Sequence, residues 1–172
     1  NMGFSNIQTV SCLSSHCCTK EVILGIQNVK KLGIDDHFQD SDGCFNNLVH
    51  LHQLESLSLK FFQKRSFSGI PSAKLFPATL KKLKLEGTFL SWSYLDIIAE
   101  LPNLEVLKLM SDACYGEEWD PNDRIFPRLK ILLIDSHYSL KHWKATDDNF
   151  PVLERLVIRS CLVLDEIPIE FA

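Results

Sequence analysis

The chain has 172 residues, 45% of them apolar and 23% charged, which supplies a continuous core and excludes a disordered or collagen-like chain. At about 150 residues per domain, this length fits one domain or one segment of a larger architecture and excludes a multidomain enzyme. Eighteen Lys and Arg against 22 Asp and Glu give a formal net charge of −4, which argues against general attraction to nucleic acid or anionic lipid but leaves room for a local basic patch.

From the first residues onward, Asn1-Met2-Gly3-Phe4-Ser5 shows no basic stretch leading into an apolar one, so no secretory signal is expected. Ile7 stands where a myristoylation site wants Ser or Thr. A chain beginning with Asn is expected to be a fragment. No apolar run reaches the 18 or so residues of a membrane span. The six cysteines, three of them within the first 18 residues, are too sparse and uneven for a disulfide framework, and there is no Asn-x-Ser/Thr acceptor. Reduced thiols in a cytoplasmic protein are expected.

The elements then recur. Leu accounts for 26 of the 172 residues, and the excess falls on a pattern Leu-x-x-Leu-x-Leu. A degenerate opener, Ile7/Val10/Cys12, is followed by Val29/Leu32/Ile34, Leu54/Leu57/Leu59, Leu80/Leu83/Leu85, Leu104/Leu107/Leu109, Leu129/Leu132/Ile134 and Leu153/Leu156/Ile158. The first residues of the six good copies are 25, 26, 24, 25 and 24 apart. A period of this length with these spacings is a leucine-rich repeat. Each x-Leu-x-Leu-x segment reads as a short strand whose leucines face one way. No single unit can bury that face, so the strands are expected to stack as a parallel concave sheet over a shared core, with the rest of each repeat returning on the convex side. The predicted fold is an α/β solenoid, a horseshoe segment of about seven repeats spanning residues 1–172, with an irregular convex side carrying short helices.

Phe76-Pro77, Leu101-Pro102, Phe126-Pro127 and Phe150-Pro151 mark where the returns end, because proline fixes φ and removes a donor. Residues 91–99 read as a short helix with Ser93 and Asp96 in a capping box and Trp92, Leu95, Ile98 and Ala99 on one face. Residues 35–47 and 111–125 read as polar loops, with Asp40-x-Asp42-Gly43 a turn and Glu117-Glu118 a solvated pair. Trp119 and Trp143, 24 residues apart at equivalent repeat positions, are expected to plug the convex side. Cys12 and Cys161 are placed at core positions.

With the leucines inward, the residues between them form columns on the concave face. Lys30, Glu55, Lys81, Glu105, Lys130 and Glu154 alternate in sign and are expected to form a charge ladder across neighbouring strands. Lys60, Lys82, Lys84 and Lys108 gather toward the middle. Val106, Met110, Ile131, Leu133 and Val157 point outward on the last three strands, bracketed by Arg155 and Arg159. Apolar side chains grouped on an exposed sheet face mark a protein contact. Together these eleven residues are the candidate protein-binding site.

Chemistry beyond binding finds little support. Cys12-x-x-x-His16-Cys17-Cys18 lacks the second ligand pair a zinc site needs, and His50-x-His52 alternates faces at the start of a strand. There is no Gly-x-Ser-x-Gly and no His-Glu-x-x-His. No metal, cofactor, catalytic residue or nucleic-acid partner is expected.

The stretches Leu101-Pro102-Asn103-Leu104-Glu105-Val106-Leu107-Lys108-Leu109, Gly116-Glu117-Glu118-Trp119, Phe126-Pro127-Arg128-Leu129, His142-Trp143, Phe150-Pro151-Val152-Leu153 through Ser160-Cys161, and Leu164-Asp165-Glu166-Ile167-Pro168 resemble the repeat region of plant intracellular immune receptors. The similarity is greatest to the coiled-coil class of the potato and tomato family, which includes the late-blight resistance homologues. It is most specific over 101–171 and looser before Leu51. The resemblance implies a domain that binds a pathogen effector or a guarded host protein and, by contacting the nucleotide-binding domain of the same receptor, holds that receptor off. This chain has no Gly-x-x-x-x-Gly-Lys-Ser/Thr phosphate loop and no coiled-coil heptads, so ATP binding is carried to none of its residues. The alternative is the substrate-recognition repeat domain of a ubiquitin ligase, which an F-box upstream would reveal.

Overall fold

The computed structural model describes residues 4–36, 44–62 and 73–168. In chain order the strands are β1 (Thr9–Ser14), β2 (Lys31–Asp36), β3 (Ser56–Phe61), β4 (Lys82–Glu86), β5 (Leu90–Ser91), β6 (Val106–Met110), β7 (Cys114–Tyr115), β8 (Glu118–Trp119), β9 (Ile131–Asp135), β10 (His142–Trp143) and β11 (Arg155–Arg159). The helices are α1 (Lys20–Gly25) and α2 (Leu95–Ile98), with short 3-10 turns between elements. One seven-stranded sheet has the order β1-β2-β3-β4-β6-β9-β11, all parallel. Each repeat lays one strand beside the previous one, as a leucine-rich-repeat solenoid requires.

The leucine pattern sets the register. Leu32, Leu57, Leu83, Leu107, Leu132 and Leu156 are directly paired across the sheet, and so are Ile34, Leu59, Leu85, Leu109, Ile134 and Ile158. From β2 to β9 these side chains are at most 2% exposed. Burying such a side chain is worth about 1.5–3 kcal/mol, so the stacked rows dominate the stability of the fold. Leu156 and Ile158 are only half-buried, because β11 is the last strand among the described residues. Cys161 is half-buried for the same reason, its thiol near the Arg159 carbonyl at 3.2 Å, so its placement as a buried core residue is corrected.

The proline signals hold. Phe76, Leu101, Phe126 and Phe150 are 3–4% exposed, and a tight turn follows, in which Leu80 donates its N–H to the Pro77 carbonyl and Leu153 to that of Phe150. The exit from each strand carries a signal of its own. Gly87, Ser111, Ser136 and Ser160, spaced 24, 25 and 24 apart, all take positive φ between 50° and 65°. The N–H groups of Gly87, Ser111 and Ser136 each donate to the last residue of the next strand, the carbonyls of Met110, Asp135 and Arg159. This left-handed corner lifts the chain off the sheet while keeping the ladder bonded.

Other expectations are corrected. In β1 a bulge lies between Val10 and Leu13, and it is Leu13, not Cys12, that pairs with Ile34. Cys12 sits in the bulge at φ 56° and is exposed. The Ser93/Asp96 capping box is absent: residues Trp92–Tyr94 form a 3-10 turn, and the Ser93 hydroxyl contacts that of Ser91 at 2.8 Å. The apolar face of the segment is as expected, with Trp92, Leu95, Ile98 and Ala99 buried. The helix α1 carries no leucine signature; Thr19 caps it by accepting from the Val22 N–H, and Ile23 anchors it. His50 closes a 3-10 turn, well before β3, instead of flanking a strand start. The acidic Asp40-x-Asp42-Gly43 turn lies outside the described residues.

Residues 111–125 are not a plain loop. They contain β7, which pairs with β5, and β8, which pairs with β10, giving two small parallel sheets on the convex side. Glu117 and Glu118 are ion-paired to Lys141 and Lys144 of the next repeat, each at 2.8 Å. Behind these sheets Trp92, Trp119 and Trp143 stack with centroids 5.3 and 5.4 Å apart and planes within 16° of parallel, and Phe150 meets Trp119 edge-on. Trp119 and Trp143 are convex plugs as the repeat position predicts, and Trp92 extends the stack by one unit.

Candidate protein-binding surface

The alternation that buries the leucines presents the residues between them on the concave face, and the strand register arranges these in three columns. The first runs Lys31, Ser56, Lys82, Val106, Ile131, Arg155; the second Gly33, Ser58, Lys84, Lys108, Leu133, Val157; the third Asp35, Lys60, Glu86, Met110, Asp135, Arg159. All eleven residues expected from the sequence fall in these columns, on five successive strands from β3 to β11. The backbone beneath is saturated by ladder bonds, so only side chains are available to a partner.

Two electrostatic regimes divide the face. Around β3 and β4, Glu86 accepts from Lys84 at 2.8 Å and lies 3.3 Å from Lys60. Partial burial pushes the Glu86 carboxyl up, but Lys84 and then Lys60 outweigh it and hold the group below the usual carboxylate range. Lys60 also lies 5.0 Å over the exposed Phe62 ring, a cation–π contact. The expected central lysine cluster is therefore partly neutralised, and Glu86 and Phe62 are residues the leucine pattern alone does not pick out. Glu86 could have been found by reading the third column as a unit, since it stands at the repeat position of Lys60 and Met110.

From β6 to β11 the chemistry differs. Val106, Met110, Ile131, Leu133 and Val157 are half-buried, shaded by their neighbours but open on one side. Lys82, Lys108, Arg155 and Arg159 surround them, exposed, and enter no ion pair among the described residues. Asp135 accepts from the Ser136 hydroxyl at 2.7 Å.

Along the entry rim of the strands, two junctions of the expected charge ladder form ion pairs among the described residues. Lys81 lies 3.7 Å from Glu55 and Lys130 lies 4.0 Å from Glu105. The carbonyls of Lys30, Glu55, Lys81, Glu105 and Lys130 each accept two N–H groups from the following strand. At this exposure each ion pair is worth about 0–1 kcal/mol, and the backbone bonds carry most of the rim.

The buried polar chemistry lies behind the sheet. His137 is fully buried, its Nε2 accepting from the Cys114 N–H at 3.3 Å and its ring 5.2 Å from Trp92. Burial lowers its pKa to about 4 despite the opposing pull of Asp112 and Asp135, so the ring is neutral at neutral pH. Cys12, Cys17, Cys18, Cys114 and Cys161 are free thiols. Burial raises the Cys114 thiol well above its usual range, which makes it inert. Among the described residues no cluster of three or more His, Cys, Asp or Glu is arranged to hold a metal, and no helix is long and apolar enough to cross a membrane.

The fold and this face define a leucine-rich-repeat solenoid with a mixed basic and apolar concave surface. No protein-family model matches the chain. Its relatives are late blight resistance protein homologs of Solanum demissum. One is 42% identical over 131 residues, covering 70% of this chain and 10% of that protein. A second is 37% identical over 147 residues, covering 84% of this chain and 18% of that protein, and a third is 42% identical over 113 residues, covering 64% of this chain and 10% of that protein. The chain thus spans a tenth to a fifth of the length of these relatives.

Proposed function

We propose that this chain is the protein-recognition and autoinhibition domain of a plant disease-resistance receptor that acts in the cytoplasm. It senses a pathogen effector directly or through a guarded host protein, contacts the nucleotide-binding domain of the same receptor, and catalyses nothing. The observation that carries this reading is the concave patch from β6 to β11, half-buried apolar side chains ringed by cations that enter no ion pair among the described residues, on a sheet whose backbone is already satisfied. Such a surface offers specificity through side chains held on a rigid frame. The disease-resistance names of the relatives supply the biological setting.

The test is made in leaf tissue with the receptor that carries this chain. Leu133→Asp should leave receptor abundance unchanged while altering the cell-death response, either abolishing it or making it constitutive. A variant that accumulates and responds like the unmodified receptor, in the presence and absence of pathogen, would show that this face serves neither recognition nor restraint.

A further inference from the structure

We infer that the concave patch takes an acidic polypeptide segment whose carboxylates are separated by apolar residues and which crosses the strands from β4 to β11. The inference rests on the reading of this face as a docking surface and adds the chemistry of the occupant.

Charge segregation carries the argument. The whole chain has a formal charge of −4, yet on this patch four cations, Lys82, Lys108, Arg155 and Arg159, and a single carboxylate, Asp135, are without an ion-pair partner among the described residues. The other neighbouring carboxylates are neutralised by lysines, Glu86 by Lys60 and Lys84 and Glu105 by Lys130, while Asp135 accepts from the Ser136 hydroxyl and keeps its charge. Glu154 lies one residue outside the columns, on the rim. An excess of positive charge opposite in sign to the molecule as a whole is complementary to an anionic partner and repels a cationic one.

The apolar residues decide which kind of anion fits. Val106 and Ile131 in the first column and Leu133 and Val157 in the second form an apolar patch between the cations, and a polyphosphate backbone has nothing to bury against it. No aromatic side chain stands in the columns from β4 to β11, so bases have no stacking platform there. A polypeptide that carries its acidic and apolar residues on one face of the extended chain, at every second position, satisfies both features.

Spacing sets its length. Lys82 and Arg155 lie in one column, three interstrand steps apart, which is about 14 Å at about 4.8 Å per step. An extended segment covers that distance in about four residues, so carboxylates about four positions apart reach both cations while the residue midway between them, on the same face, meets Val106 and Ile131.

The experiment uses this chain and fluorescein-labelled peptides of about 12 residues, long enough to cross the four strands when extended. The Glu/Leu peptide repeats Glu-Ser-Leu-Ser, which places Glu and Leu on one face with the carboxylates four positions apart; the Lys/Leu peptide has Lys in place of Glu, and a third has Ser in place of Leu; an oligothymidine of similar length is the nucleic-acid probe. Fluorescence anisotropy should show binding of the Glu/Leu peptide that weakens as salt rises. It should weaken about tenfold or more in the Lys108→Glu/Arg155→Glu double variant and in Leu133→Ser, and not in Lys20→Glu on α1. Circular dichroism melting of each variant establishes that the fold is retained.

No binding of the Glu/Leu peptide up to about 1 mM overturns the inference. So does equal or tighter binding of the Lys/Leu peptide; if Leu133→Ser abolishes that binding, the docking surface stands and only the acidic occupant is lost. Oligothymidine binding with the same sensitivity to the double variant assigns the patch to nucleic acid and also overturns it. Peptide binding that neither variant disturbs removes the docking surface itself.

Discussion

Leu107 and Leu133 are the same residue type on neighbouring strands, yet they occupy opposite faces of the sheet. Leu107 is fully buried between Leu83 and Leu132, whereas Leu133 is half-buried on the concave side. A charge placed at Leu107 has no partner and no water, so Leu107→Asp should unfold the chain or cost several kcal/mol in urea denaturation. Leu133→Asp should shift the same transition by about 1 kcal/mol or less, because its carboxylate reaches solvent. Equal losses would mean that the assignment of faces is wrong. His137 makes a second prediction at this scale. The unfolded chain binds a proton at this residue near pH 6.5, the folded chain only near pH 4. The stability contributed by the neutral ring is therefore complete above pH 6.5 and is lost as pH falls toward 4, by up to about 3 kcal/mol. Urea denaturation at about pH 7.5 and about pH 4.5 measures it, and His137→Gln should flatten the difference relative to the unmodified chain. Parallel slopes in the two proteins would count against a buried neutral histidine.

At the scale of the element, the strands were legible because their anchors recur at a fixed period and are nearly all Leu or Ile. The strand exits were not, because Ser111, Ser136 and Ser160 look like ordinary loop residues and only their shared positive φ reveals the motif. Gly87 is the one glycine of that set, and a Cβ there would run into the Phe61 carbonyl of the preceding repeat. Gly87→Ala should accordingly cost more than the roughly 1 kcal/mol of a strained φ alone, seen as a lowered thermal midpoint; an unchanged midpoint would show that the corner relaxes freely. The two-residue strands β5, β7, β8 and β10 were invisible for another reason. They have no periodicity of their own and exist because neighbouring repeats place them side by side over the tryptophan stack. Trp119 is the middle of that stack and 1% exposed, so Trp119→Ala should cost about 3–5 kcal/mol in urea denaturation. The bulge in β1 likewise escaped the pattern, since a single added residue moves the anchor from Cys12 to Leu13 without disturbing the alternation elsewhere. On the candidate surface, the columns were legible from period two alone, whereas the pairing of Glu86 with two lysines depended on which strands are neighbours.

For the molecule as a whole, each strand of the main sheet touches only the strands of the adjoining repeats, so stability accumulates from one interface to the next instead of from a single closed core. The charge ladder along the rim has a consequence in this setting. Lys30, Glu55, Lys81, Glu105, Lys130 and Glu154 alternate in sign, one per repeat. Loss of a single repeat, such as the one carrying Lys81, would seat Glu55 directly beside Glu105, whereas loss of two adjacent repeats would leave every neighbour opposite in sign. The ladder therefore acts as a parity check on copy number. By roughly a few tenths of a kcal/mol per junction, it favours arrays that grow or shrink in steps of two.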